Sequence, residues 1–356
     1  MSARPGRVRG ARLTDLPALG ELSRLSHPTD GEQGAVRSLG LPVSRSQFSV
    51  FSLFRMPLGA FRPSDQLYVY EEGSRLAGLA RVERDSQRDE WTIVELDAIG
   101  FQEAGDIRLR LVQHLLRDGA RRGAIRFHVA CADADGNVEL FMQAGFISYG
   151  QERLMYLPPE AELPMVGPDG AAAARIRPAV PLDALPLSRL YAAATPQPVV
   201  RLEAYRLSDW ERQVGQGRVP RSSLAPVLRF ADVEAFVQED EGGGRDGTAL
   251  SGFVQVGVAK EDQPHYLRVV VLPGCDADSL VSYGLSVIGE RTGAHRGPGR
   301  FSHEHEHGVI TPVRTYESPV DSRVEDRGFA AIATVTLLMK ESAIRVAEPV
   351  LVPATR

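Results

Sequence analysis

VRGARLTDLPALGEL, residues 8–22, and IRPAVPLDALPLSRL, residues 176–190, are one phrase written twice. Both fit [VI]-R-x-A-x3-D-x3-L-x2-L at an offset of 168. Each copy predicts a short apolar strand running into a helix whose leucines recur at i and i+3. Asp15 and Asp183 stand where an N-cap belongs, able to accept from the first helix amides. Repetition on this scale means two copies of one structural plan.

The repeat returns near the end of each copy. Glu139 to Phe146 is ELFMQAGF, and Asp321 to Phe329 is DSRVEDRGF, now at an offset of 183. Each predicts a helix ending on glycine, the residue that tolerates a left-handed C′ position. Strands come next at 150–157 and 331–340. Between the anchors the elements correspond in order. The first copy predicts a hairpin of strands 66–71 and 76–83, a strand at 91–98, a helix at 108–122 and a strand at 124–130. The second predicts 231–238 and 249–260, then 266–272, 279–291 and 309–315. The stretch from Leu157 to Ala174, with four prolines and two glycines, predicts an extended connector. The expected organisation is a first domain at 1–158, a linker at 159–174, a second domain at 175–345 and a tail at 346–356.

Composition narrows the class. The chain has 356 residues, 43% hydrophobic and 24% charged, which suits a globular protein rather than a disordered one. A net charge of −5 argues against a nucleic-acid binder. Two cysteines, Cys131 and Cys275, indicate neither a disulfide framework nor a cysteine zinc site. The longest apolar run, 330–339, is about half of what a membrane span requires. The expectation is a cytoplasmic protein. All but Lys260 and Lys340 of the 41 basic residues are arginine, and Asn137 is the single asparagine.

This element order, with its helix ending in Gly-Phe, resembles the GNAT acyltransferase superfamily twice over. The resemblance implies an α/β (α+β) fold of two tandem GNAT-like domains. Each would be a mixed, mostly antiparallel sheet flanked by helices, with acyl-CoA in the opening between the fourth and fifth strands. It implies that Gln102, Gly105, Asp106 and Ile107 occupy the family's phosphate-binding Q/R-x-x-G-x-G/A, where helix-start amides hold anions. Ala98 would end the strand before it, and Asn137 would touch the cofactor arm. Phe141 and Val324 stand where the family often has a tyrosine acid, with Tyr149 and Tyr156 nearby. Glu95 and Asp97 share one face of their strand by period two and are the candidate bases. The second copy, Pro273 to Ser279, has one glycine and two aspartates, so the cofactor is expected in the first domain. The implied function is an acetyl-CoA-dependent N-acetyltransferase acting on a small-molecule or peptide amine, with no nucleic acid or membrane partner. Oligomerisation stays open. The alternative is a degenerate binding or structural protein.

Two further stretches stand out. His303-Glu304-His305-Glu306-His307 would place three imidazoles on one strand face, but without accompanying ligands no metal site is assigned. Gln47 to Met56, bordered by Arg45, Arg55 and Arg62, is an aromatic run that could wall an acceptor site or simply pack.

Overall fold

The computed structural model describes residues 6–15, 17–19, 21–22, 39, 65–85, 87–99, 104–133, 136–164, 173–216, 223–224, 228, 230–240, 249–259, 263–294 and 307–342. The first half contains β1 (Arg7–Gly10), β2 (Asp65–Glu72), β3 (Arg75–Asp85), β4 (Glu90–Ala98), α1 (Ala104–Arg121), β5 (Arg126–Ala132), α2 (Asn137–Gln143) and β6 (Ile147–Leu157). The second contains β7 (Ile176–Pro178), α3 (Ala184–Ala194), α4 (Gln197–Glu203), α5 (Leu207–Gln216), β8 (Phe230–Glu239), β9 (Leu250–Ala259), β10 (His265–Val271), α6 (Ala277–Ala294), β11 (Val309–Arg314), α7 (Ser318–Asp326) and β12 (Ala330–Glu341).

The strands form one sheet in the order β1-β2-β3-β4-β5-β12-β6-β11-β10-β9-β8-β7. Its two ends are mirror copies: an antiparallel run of four strands, then a parallel step from β4 to β5 and from β10 to β11. The centre is crossed over. β12, from the end of the chain, pairs with β5, while β6 pairs with β11. The last strand of each half thus sits in the other half's sheet. The two exchanged strands also pair with each other.

The repeated opening phrase builds a clasp. Asp15 accepts from Arg9 Nη1 and Nη2 at 2.6 and 2.9 Å and from the Arg12 N–H at 2.7 Å. Asp183 accepts from Arg177 at 2.8 and 2.9 Å and from the Val180 N–H at 2.8 Å. The Asp183 side chain makes no cap bond to α3, correcting the N-cap expectation. A bidentate guanidinium is the stronger partner for a carboxylate. Arg9 Nε and Arg177 Nε also bind Glu71 and Glu239, a third pair at the same spacing of 168.

Each half packs its long helix on the sheet through a glycine in the second hairpin strand. A Cβ on Gly78 would stand 2.6 Å from Ile107, and one on Gly252 would stand 2.2 Å from Leu280. This equates Ile107 with Leu280 and sets α1 and α6 in register. Gly145 and Gly328 take the left-handed φ of 88° and 86° expected after their helices.

Candidate functional site

The parallel step is where each half opens. β4 and β5 pair from Glu90/Arg126 to Ile93/Val129 and no further. The register of β4 on β3 shifts next, between the Val82/Ile93 and Arg81/Glu95 pairs, so Val94 bulges out. A bulge bends its strand and re-aims the residues after it. Beyond it the N–H of Ile99 donates to Ala77 O on β3. Backbone groups alternate sides along a strand, so those of Leu96 and Ala98 turn away from β3 toward the opening.

The predicted residues divide around this opening. Ala98 lies at its β4 edge. Glu95 and Asp97 are buried, at 2% and 0% exposure, on the face opposite the core side of Ile93 and Leu96. Glu95 accepts from Arg81 Nε at 3.1 Å, and Arg81 lies 3.7 Å from Asp65. The sequence predicts the α1 start at Arg108, but the helix begins at Ala104, one turn earlier. Gly105 is therefore inside the first turn, with open space where a Cβ would project. Asp106 is exposed and pairs with Arg110 one turn on, at 2.8 Å. Ile107 is a core residue, against Gly78. Gln102 lies outside the described residues.

Asn137 is fully buried. Its side-chain oxygen accepts from Arg108 and its amide nitrogen donates to Ala132 O at 3.4 Å. Asn137 thus ties α1 to the end of β5. Phe141 is buried beside Phe146 in an edge-to-face pair at 5.3 Å. Cys131, also buried, has its thiol pushed up to about 12 by desolvation, so it is no thiolate at neutral pH. Tyr149 and Tyr156 are on β6, which the exchange places two strands from β5. The β5 wall carries one unexpected contact: the Ala132 N–H donates to Leu39 O at 2.7 Å.

The second half diverges sooner and is bridged. β10 and β11 pair only at His265/Val309 and Tyr266/Ile310. Past that point Arg268 reaches from β10 to Pro312 O on β11 at 3.4 Å and donates to Val269 O at 2.9 Å. Both its terminal nitrogens bind Glu317, at 2.7 and 2.5 Å. Burial works against the guanidinium charge, but Glu317 more than offsets it and keeps Arg268 ionised. By hairpin register Arg268 opposes Gln255, as Glu95 opposes Arg81. The position on the last hairpin strand thus carries a carboxylate, Glu95, in the first half and a guanidinium, Arg268, in the second. The helix-start glycine of the first half, Gly105, corresponds to Asp278.

Sequence reading missed Arg81, Arg108, Leu39 and the Arg268–Glu317 pair. Arg81 meets Glu95 only through the bulge at Val94, since an unbroken hairpin register would set it opposite Val94. The others depend on tertiary approach. Gln47 to Met56, Arg45, Arg55, Arg62 and residues 303–306 lie outside the described residues. Among the described residues there is no cluster suited to a metal ion and no helix long and apolar enough to cross a membrane.

The fold is similar to that of solved structures. A tandem GNAT protein from the clavulanic acid biosynthesis pathway, solved without AcCoA, matches 95% of this chain over 99% of its own length, with a TM-score of 0.55 and 14% identity. A GCN5-related N-acetyltransferase from Sphaerobacter thermophilus matches 94% of this chain over 95% of its own, with a TM-score of 0.54 and 15% identity. No protein-family model matches the chain, and no curated protein matches it in sequence. The fold is a tandem GNAT fold, one plan present in two copies.

Proposed function

We propose that this chain is a GNAT-type N-acyltransferase that takes acetyl-CoA in the first-half opening and delivers the acetyl group to a small-molecule or peptide amine. The observation carrying this reading is the parting of β4 and β5 after Ile93/Val129, at a bulge, with the start of α1 just beyond. Gly105 suits such a ligand, since open space at its Cβ position lets phosphates approach the helix-start backbone. Ile107, Asn137 and Phe141 support the site from the interior.

Acetyl-CoA, when bound, supplies an activated thioester for attack by the amine. The chain's share is positional and electrostatic. The backbone of Leu96 and Ala98 faces the opening, where an N–H dipole can stabilise a developing oxyanion. Asp97, one of the two carboxylates on that face of β4, is the proposed acceptor of the amine proton, and Glu95, bound by Arg81, is a positioning residue. Asp97→Asn should lower kcat by about 10²–10⁴-fold while acetyl-CoA binding persists. Equal loss of binding would make Asp97 structural instead.

A second reading, a binding or structural protein without catalysis, is favoured by the bond from Ala132 N–H to Leu39 O. There the chain's own backbone occupies part of the β5 wall. Thermal unfolding with acetyl-CoA separates the two. Ligand at 100 times its Kd stabilises a fold by about 2.7 kcal/mol, a measurable rise in Tm. No rise at millimolar acetyl-CoA would leave only the second reading.

A further inference from the structure

The strand exchange has a charge pattern that explains it. Ala132, Val335, Glu152 and Arg314 face one another in a row across β5, β12, β6 and β11. The exchanged order puts Glu152 directly beside Arg314, at 2.6 Å, with both fully or nearly buried. Arg314 also holds Glu203 of α4 at 2.8 Å. The unexchanged order would set Glu152 beside Ala132 and Val335 beside Arg314. The ion pair would then be separated by a whole strand.

The opposite face of β6 carries a second pair. Arg153 binds Asp321 and Glu325, both on α7, the latter at 2.8 Å. At the spacing of 183 that relates the two ends, Asp321 and Glu325 correspond to Val138 and Met142 on α2. Arg153 corresponds to Thr336 on β12. Returned to its own half, Arg153 would lie under Val138 and Met142, and Thr336 would lie under two carboxylates. Both faces of β6 therefore match the second half and mismatch the first.

We propose that these two ion pairs dictate the exchange: the β11–α7 edge is a receptor for a strand carrying Glu152-Arg153. β12 carries no charge at the matching positions, Val335 and Thr336, and takes the remaining place beside β5. The interior pair Glu152–Arg314 is strongly unfavourable if left unmatched, and the part-exposed Arg153 contacts add a smaller preference, so together they select one strand order over its near-equal alternative. This selection does not depend on the proposed acyltransferase activity. It makes the second half a required part of the first, since β12 completes the sheet next to the β5 wall.

The test uses the full chain with Cys275→Ser and Thr336→Cys, which sets a thiol opposite Cys131 in the exchanged register. Directly opposed strand positions fall within disulfide reach. Oxidation followed by peptide mass mapping should give the 131–336 link in nearly all molecules. Moving the carboxylate, with Glu152→Val and Val335→Glu, should cut the link at least fivefold, because Arg314 is then served by β12. If that variant fails to fold, Glu152→Val with Arg314→Ala removes the preference without adding a charge. It should give a mixture, with the link at intermediate yield. Undiminished linkage in both variants would overturn the proposal, and so would absence of the link in the parent.

Discussion

The two openings share one plan yet are finished in opposite ways. In the first half a bulge at Val94 turns β4 away from β5, and the carboxylate on its buried face is tied back to β3 by Arg81. In the second half the corresponding residue is Arg268, which reaches across to β11 and is locked by Glu317. One residue position, carrying either sign of charge, thus accompanies either an opening or a bridge. Gly105 against Asp278 follows the same division. A small residue leaves space at the helix start of one half, and a carboxylate joined to Arg327 fills it in the other. What separates the halves is a few charged side chains at the parallel step, not element order.

The largest effect expected from breaking this comparison is at the junction. Arg314→Ala would leave Glu152 and Glu203 buried together, and the loss should be about 3–5 kcal/mol or more in urea unfolding. Glu317→Gln comes next, because it strands Arg268 in the second-half bridge. It should cost about 3 kcal/mol in the same assay. It should leave acetyl-CoA affinity unchanged, since that site is assigned to the first half. Smaller, and equal between halves, are Gly78→Ala and Gly252→Ala. Each forces a methyl into the helix above it and should cost about 1–3 kcal/mol by thermal unfolding.

The smallest effect is a pH dependence. Hydrogen bonds from Arg9 and Arg12 hold Asp15 down to about 2 against its burial, from an ordinary 3.8. Burial pushes Asp183 up, but Arg177 and the Val180 N–H outweigh it and lower it as well. A depressed carboxylate contributes stability above its unfolded value that is lost as pH falls through its folded one. Both clasps should weaken from about pH 4 downward. Asp15→Asn with Asp183→Asn should flatten stability between about pH 4 and pH 2 relative to the parent. An unchanged slope would show that the clasps carry no linkage.

Much of the fold was legible because it is repeated. The Arg-Ala-Asp phrase and the Gly-Phe helix ends mark corresponding points, and local periodicity supplies the strands and helices between them. The exchange of β6 and β12 was not legible, because both strands come after the same Gly-Phe turn and suit either place in the sheet. The residues that decide it, Glu152 and Arg314, are remote in sequence and ordinary in type. In the site, period two correctly set Glu95 and Asp97 on one face despite the bulge just before them. α1 starts a turn before the point its periodicity predicts, because Asp106 and Arg110 pair across the added turn. Asn137 drew attention through its rarity, yet its bonds to Arg108 and Ala132 give it an internal duty. Arg108 could not be recognised as its partner until α1 was set over β5.

The division between an open first half and a bridged second half is tested most directly by titrating acetyl-CoA into three proteins by calorimetry. The parent should bind one equivalent. Gly105→Asp, which gives the first half the residue of the second, should abolish binding without unfolding the chain, since among the described residues nothing lies within 4 Å of the added Cβ. Asp278→Gly should bind as the parent does. Absence of binding by the parent, or equal loss from both substitutions, would contradict the assignment of the site to the first half.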